Sequence, residues 1–465
     1  MLNIVIMAAG KGTRMKSALP KVLHRLAHQS LLHHVLDTAL ALKAERIVTV
    51  TGHGAEAVEA AVKLTAPQVR FARQMPQLGT GHAVQQAVVE LADDGSSGIS
   101  LILNGDTPLI QASTAQALID ACGGTRLALL TIVMGSETEA AGLGRIVRDD
   151  AGIQAIVEHK DASAAQRAIL ETYTGVMAVP TAHLKRWLGQ LKNDNAQKEY
   201  YLTDIVAMAV ADGVTVVAAH PRSDTEVLGV NSPLQLADLE RRYQRGRATA
   251  LMEAGVRLAD PSRFDVRGHL DCGVDVEIDV NCIFEGCVSL GNNVRIGPHC
   301  VIKNATIAAD TIVSAFTHID GEMLGVKVGR DARIGPFARL RPGADLGDEV
   351  HIGNFVEVKN STMAKGAKAN HLAYLGDAVV GERVNFGAGS ITANYDGANK
   401  HRTVIGADVH VGSNCVLVAP LTLGAGATIG GGSTVTKDAP PSALTVARGK
   451  QVTLSGWVRP VKKVG

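Results

Sequence analysis

Two hydrophobic rhythms divide this chain. Through roughly the first 230 residues, short β-branched runs alternate with stretches of helical spacing. Ile4-Val5-Ile6 leads into a glycine-rich turn, residues 46–50 into Thr51-Gly52-His53-Gly54, and residues 100–103 into Asn104-Gly105-Asp106. Strands separated by helices require crossover connections, so an α/β domain around a mostly parallel sheet is predicted. Ligands of such sheets bind beyond the carboxyl ends of the strands. That would bring the glycine-rich turn and Asn104-Gly105-Asp106 to one crevice.

Residues 233–254 carry Leu236, Leu239 and Tyr243 at helical spacing on an otherwise charged segment and read as a connecting helix. Beyond it the period becomes six. Ile278, Phe284, Leu290, Ile296 and Ile302 form one series; Val328, Ile334, Leu340, Leu346, Ile352 and Val358 a second; Ile405, Val411, Leu417, Leu423, Ile429 and Val435 a third. Neither a strand nor a helix repeats in sixes. A parallel β-helix does, with one inward aliphatic residue at each equivalent position. Glycine often follows, as in Ile352-Gly353 and Val411-Gly412, where the chain must bend without a clash. The phase slips within 303–327 and breaks at 394–402, a polar, turn-rich stretch expected to be extruded as a loop on the binding face. The expected division is a first domain over 1–232, a helical linker over 233–254 and a second domain over 255–465.

Composition narrows the ligands more than the fold. Lys plus Arg number 46 and Asp plus Glu 45, for a net charge of +1, so neither nucleic acid nor an anionic membrane is expected as a partner. An anionic ligand must be held by local groups. Aromatic residues at 3% and 49 glycines suit tightly wound repeats. No apolar run has the length of a membrane span, and MLNIVIMAAG reads as a buried first strand rather than a signal peptide. Cys122, Cys272, Cys282, Cys287, Cys300 and Cys415 show neither CxxC pairing nor zinc spacing. Reduced, mostly buried thiols in a cytoplasmic protein are expected.

The turn Ala8-Ala9-Gly10-Lys11-Gly12-Thr13-Arg14-Met15 follows the first strand. Its glycines let backbone amides approach a phosphate, and a helix N-terminus behind it favours anions. The GxGxxG spacing of dinucleotide folds is absent, and so is a Walker loop. The turn resembles the signature of nucleoside-diphosphate-sugar pyrophosphorylases, which ends in GTRM and is followed by Pro20-Lys21. Arg14 and Lys21 would then balance a triphosphate. Asp106, at a strand end, is a natural Mg²⁺ ligand for phosphoryl chemistry.

On the repeat lie residues 335–342, then Glu357-Val358-Lys359, then residues 368–377 with Asn370-His371. With these motifs the chain resembles, from about residue 3 to 463, the bacterial GlmU family, which joins an N-acetylglucosamine-1-phosphate uridylyltransferase to a glucosamine-1-phosphate N-acetyltransferase. The resemblance implies an N-terminal Rossmann-like nucleotidyltransferase domain, a connecting helix and a C-terminal left-handed parallel β-helix of hexapeptide repeats. At the first site it implies Asn231 as the second protein ligand of Mg²⁺ beside Asp106. Ala8, Ala9, Gly10, Lys21, Asn104 and Gly105 would surround UTP and its product, Gln74 with Gly79-Thr80 would contact the uracil, and Gly144, Glu158 and Asn231 would hold the sugar. The family usually reads Asn-Thr-Gly where this chain has Tyr173-Thr174-Gly175, so Tyr173 either contacts the sugar differently or points away.

At the second site the resemblance makes His371 the general base that takes a proton from the amine of glucosamine 1-phosphate before attack on acetyl-CoA, a task suited to an imidazole. Glu357 would orient it. Arg341 and Lys359 would bind the sugar phosphate, and Tyr374 and Asn385 the ring. Ala388, Asn394, Tyr395, Ser413, Gly431 and Arg448 match coenzyme A contacts. The family forms closed homotrimers with acetyl-transfer sites between neighbours. Other readings are a different acyl acceptor for the β-helix, a metal site, which would need three converging histidines, and a non-catalytic regulatory subunit. The last typically carries eroded motifs, whereas GKGTRM, Asn104-Gly105-Asp106 and Asn370-His371 are intact.

Overall fold

The computed structural model describes residues 1–92 and 98–462. Internal contacts divide them into two compact units, Met1–Arg242 and Tyr243–Gly465.

In the first unit, Leu2–Ala8 lies parallel between Arg46–Thr51 and Ile99–Asn104, and Arg70–Arg73 extends the sheet beyond Arg46–Thr51. Continuous aliphatic runs make these strands because both faces are covered. Ile4 and Ile6 share an apolar cluster with Leu32, Val35 and Val58, while Val5 shares the other with Val84, Leu184, Trp187 and Ile205. The sheet is mixed, since Glu171–Pro180 enters antiparallel between Ile99–Asn104 and Leu127–Val133. Register sets the strand ends level: Met7 pairs with Asn104, and the Gly105 amide donates to the Met7 carbonyl at 2.9 Å.

The second unit is a parallel β-helix. Glu277 pairs with Arg295, Arg295 with Ile312, Ile312 with Arg333, Arg333 with His351, His351 with Lys368 and Lys368 with Asn385, all in parallel. Every residue of the three six-spaced series is buried, none more than 3% exposed. A second set, two positions earlier, is buried as well: Val276, Val294, Ala332, Val350, Ala367, Val384, Val409 and Ala427. Each short strand therefore keeps period two inside the six, with one outward residue such as Arg333 or His351 between two inward ones. The phase break at 394–402 is a short hairpin closed by the Tyr395–Lys400 bridge, and the coil resumes where His410 pairs with Asn385.

The helix Pro233–Glu253 is more than a connector. Ala248 belongs to the β-helix core, and the side chain of buried Gln244 both accepts from the Val266 amide at 2.8 Å and donates to the Val266 carbonyl at 3.0 Å. Val266 lies in Phe264–Cys272, the first long strand of the solenoid, whose outer edge has no preceding coil to pair with. Gln244 supplies that pairing. A solenoid end needs such a cap.

Among the described residues no helix is long and apolar enough to cross a membrane. All six cysteines are unpaired, and Cys122, Cys282, Cys300 and Cys415 are buried.

The inward and outward positions should respond differently to truncation. Ile334→Ala should cost about 2–5 kcal/mol through lost burial and a residual cavity. Its exposed neighbour Arg333→Ala should stay within about 0.5 kcal/mol. Chemical unfolding monitored by circular dichroism reads both, and equal effects would contradict the stacked core.

Candidate functional site

Three cavities meet at the carboxyl ends of the strands in the first unit. One, of about 340 Å³, is lined by Ala8, Ala9, Gly10, Lys21, Gln74, Gly79, Thr80, Asn104 and Asp106. A second, of about 380 Å³, shares Asn104 and Asp106 and adds Tyr173, Gly229 and Asn231. The third, of about 220 Å³, takes in Thr80, Asn104, Gly144, Glu158 and Tyr173. Asn104 is common to all three. The residues expected around a nucleotide and a sugar are thus brought together, with two exceptions. Gly105 is buried and lines none of the three. Arg14 sits exposed on the single turn Thr13–Met15, anchored by buried Met15, and lines none of the three.

Local geometry explains the positions. Gly12 has φ 60°, and a Cβ there would lie 2.6 Å from the Lys21 Cβ, so the turn can close against Lys21 only with glycine. The Val230 amide donates to the Asp106 carbonyl at 2.9 Å, which draws Asn231 to Asp106 across a long stretch of sequence. Between them lies the Lys21 ammonium, paired with the Asp106 carboxylate and donating to Asn231 Oδ1 at 3.1 Å. Two hard oxygens, one carboxylate and one amide, thus share a single cation. Among the described residues no three His, Cys, Asp or Glu side chains converge on a metal position.

Gln74 is buried; its amide nitrogen donates to the Gly79 carbonyl at 2.9 Å, and the Thr80 hydroxyl accepts from the Leu202 amide at 3.1 Å. Glu158 accepts from the Thr203 hydroxyl at 3.0 Å. Burial pushes its carboxyl above the usual range; the Thr203 bond opposes this, and the charges of Asp204, Asp161 and Glu199 add to it. Neither Thr203 nor Leu202 has a sequence signal that marks it as part of the site.

On the β-helix, coil stacking builds the second site. Arg339 pairs with Glu357 and Glu357 with Tyr374 in register. A Cβ at Gly376 would collide with the Tyr374 phenol oxygen, so the missing side chain makes room for the ring's end. Arg341 donates to Glu357 at 2.8 Å, and Arg339 reaches the same carboxylate at 3.5 Å. Glu357 is thus committed to arginines. The partner of His371 is Asn354, one coil earlier, whose Oδ1 lies 2.7 Å from Nδ1. This corrects the expected Glu357–His371 pairing: Asn354, not Glu357, is in register with the histidine. Lys359 is met by Lys400 from the 394–402 loop and by Arg341. Lys400 foremost, with burial and Arg341, depresses its ammonium below the usual lysine range. Like charges gathered this closely disfavour one another's charged forms. Sequence spacing could not reveal Lys400, because the loop lies outside the repeat.

The remaining predicted residues form a strip over successive coils. The Asn414 amide donates to the Ala388 carbonyl at 2.8 Å, the Gly432 amide to the Ser413 carbonyl at 2.8 Å, and Arg448 to the Gly431 carbonyl at 2.7 Å. Asn394 donates to Asp377, while Tyr395 is exposed on the loop. Asn385 is half-buried on the coil that follows His371.

A nucleotide-type crevice at parallel strand ends, joined to a β-helix with a histidine and a cation cluster, defines a two-domain transferase. Residues 4–172 match the model of the MobA-like NTP transferase domain, and residues 325–425 that of the GMPPB C-terminal domain. The "Bifunctional protein GlmU" of Methylibium petroleiphilum is 71% identical over 469 residues, covering 100% of both chains. The protein of that name from Polaromonas naphthalenivorans is 67% identical, covering 100% of this chain and 99% of its own. The one from Bordetella parapertussis is 56% identical over 100% of both. The chain belongs to this bifunctional GlmU family.

Glu158 gives a signed pH dependence. Its raised carboxyl contributes stability that is fully present below the ordinary value of 4.5 and is lost as pH rises through the folded value. Glu158→Gln should therefore gain thermal stability relative to the parent at pH 7–8 and show little difference at pH 4. A gap that is constant with pH would mean the carboxyl is not destabilised by burial.

Proposed function

We propose that residues 255–465 transfer an acetyl group from acetyl-CoA to glucosamine 1-phosphate, and that residues 1–232 then transfer a uridylyl group from UTP to N-acetylglucosamine 1-phosphate. The products are UDP-N-acetylglucosamine and pyrophosphate. The observation that supports this reading is that each unit gathers cationic side chains at its own site: Lys21 beside Asp106 and Asn231 in one, Lys359 with Lys400 and Arg341 in the other.

In the first unit an oxygen of the sugar phosphate attacks the α-phosphorus of UTP. The bond to the β-phosphate oxygen breaks, and its electron pair leaves with pyrophosphate. Little covalent work falls to the protein, so positioning and charge neutralisation dominate. Asp106 and Asn231 would hold Mg²⁺, which supplies charge neutralisation at the phosphates. Lys21, and Arg14 on the exposed turn, would balance the charge of the triphosphate. Gln74 with Gly79 and Thr80 receives the base, and Gly144, Glu158 and Asn231 the sugar.

In the second unit, Asn354 Oδ1 accepts from Nδ1–H of His371. That fixes the tautomer and leaves Nε2 as the base. Nε2 takes a proton from the amine as the nitrogen attacks the thioester carbonyl. The C–S bond breaks, and the proton passes to the departing coenzyme A thiolate. Arg341, Lys359 and Lys400 hold the phosphate, Tyr374 and Asn385 the ring, and the strip from Ala388 to Arg448 the coenzyme.

The assembly is a cytoplasmic homotrimer in this reading. Support comes from one corner of the β-helix, where His299, Phe316, Phe337 and Phe355 stack at centroid distances of 4.8, 5.0 and 5.3 Å. Leu372 continues the corner beside His371, and all but His299 are exposed large apolar residues. An apolar ladder of this kind calls for a covering surface. Copies of the same chain would cover it and border His371.

Incubation with glucosamine 1-phosphate, acetyl-CoA, UTP and Mg²⁺ should yield UDP-N-acetylglucosamine, and absence of that product would refute the reading. His371→Ala should cut acetyl transfer on the order of 10²–10⁴-fold while uridylyl transfer persists. Arg14→Ala should do the reverse. Loss of both activities in a folded His371→Ala protein would contradict two independent sites. Phe337→Glu should give monomers by analytical ultracentrifugation and lose acetyl transfer selectively.

A further inference from the structure

The polar hairpin that breaks the repeat is braced within itself. Its legs are joined by the Tyr395–Lys400 bridge, and the His401 amide donates to the Asn394 carbonyl at 2.8 Å. At its tip one oxygen of the Asp396 carboxylate accepts from the Ala398 and Asn399 amides at 2.8 and 2.7 Å, and the other lies 2.6 Å from His401 Nε2. With the hairpin braced in this way, the position of Lys400 is set by what fastens its two ends.

Both ends are fastened to one residue. The Asn394 side-chain amide donates to the Asp377 carboxylate, and the Thr403 backbone amide donates to the Asp377 carbonyl at 3.2 Å. Asp377 is also tied to the coil before it. Its own amide donates to the Lys359 carbonyl at 3.1 Å, and its other carboxylate oxygen accepts from the Asn360 side chain. The residue is only 7% exposed and has φ 50°, a left-handed conformation that aspartate and asparagine tolerate better than most residues. Burying a carboxylate against two neutral amides is costly, since the hydration it gives up is only partly replaced.

The charges nearby account for it. Lys359 is faced by Lys400 from the hairpin, by Arg341 from the preceding coil and by Asp377 from the following one. Lys400, burial and Arg341 depress the Lys359 ammonium, whereas Asp377 acts in the opposite sense. Arg341 has Glu357 as its own partner at 2.8 Å. Cations gathered to receive one phosphate repel one another, and a fixed anion beside them offsets that repulsion.

We propose that Asp377 is a positioning residue for acetyl transfer: its side chain fastens the hairpin that carries Lys400 and supplies the counter-charge for the cations that receive the sugar phosphate. It meets no reacting atom and acts through Lys359 and Lys400. The proposal rests on the reading of the second unit as a glucosamine-1-phosphate acetyltransferase.

Asp377→Asn tests it, because asparagine suits the same backbone conformation and keeps the shape of the side chain while losing the charge. Acetyl-transfer kinetics at saturating acetyl-CoA should show the KM for glucosamine 1-phosphate raised about tenfold at neutral pH, the loss expected of one charge-assisted interaction. Without the carboxylate Lys359 releases its proton at a lower pH, so the alkaline rise of that KM should begin at a lower pH than in the parent. Asn394→Ala removes the hairpin's side-chain tie and keeps the charge. It should raise the same KM by a factor that does not vary with pH. Uridylyl-transfer constants should stay within about twofold in both variants. An unchanged KM for glucosamine 1-phosphate in either variant, or an alkaline limb in Asp377→Asn that coincides with the parent's, would overturn the assignment. If Asp377→Asn does not fold, as a melting curve would report, the KM of Asn394→Ala still decides. If the parent itself transfers no acetyl group to glucosamine 1-phosphate, the underlying reading fails instead, and the two failures are distinguishable.

Discussion

In the second unit each coil hydrogen-bonds to the one before it in parallel, so every residue stands over a counterpart one coil back, commonly 17 or 18 residues earlier. The rest of that unit depends on this stacking. Inward it produces a continuous aliphatic core, two residues from each short strand, with a burial gain of roughly 1.5–3 kcal/mol for each large side chain. Outward it aligns polar side chains into columns without further effort. Asn354 meets His371, Arg339 meets Glu357 and Glu357 meets Tyr374 because they share a column. The aromatic ladder of Phe316, Phe337 and Phe355 is the same geometry at a corner. Chemistry placed on such a scaffold is held by the core beneath it.

The first unit reaches the same end by a different route. Its constraint is that Met7 and Asn104 lie side by side, which sets two strand ends level and makes a floor for the crevice. Asn231 then arrives from far along the chain through the Val230–Asp106 backbone bond. The Lys21 ammonium fills the gap between the two oxygens it finds there. The fold alone thus holds one cation between a carboxylate and an amide oxygen that lie far apart in sequence. Glu158 and Tyr173 pay the opposite cost: both are polar groups held in a wall where burial disfavours their charged forms.

Much of this was legible from residue order alone. The six-residue period specified the β-helix because no other regular structure repeats at that interval, and every residue it picked out is buried. Alternation of strand and helix patterns specified the α/β unit for a similar local reason. The strand-end motifs were also visible, since a glycine-rich turn and Asn104-Gly105-Asp106 are contiguous in sequence. The helix Pro233–Glu253 was legible as a helix but not as a cap, because Gln244 becomes a strand's partner only when Phe264–Cys272 is folded against it.

What the sequence by itself determined, then, is periodicity: which residues face inward, where the rhythm changes and where the polar loop must leave the solenoid. What only the tertiary structure decided is which polar groups meet. Asn354 rather than Glu357 holds His371, because coil length, not chemical suitability, sets the column. Lys400 reaches Lys359 from a loop that the repeat does not index. Tyr173 is a buried phenol without a hydrogen-bond partner among the described residues, a state visible only once its surroundings are packed. Side-chain burial follows from local pattern, since it depends on period. Hydrogen bonds between distant residues depend on how coils and strands stack in three dimensions.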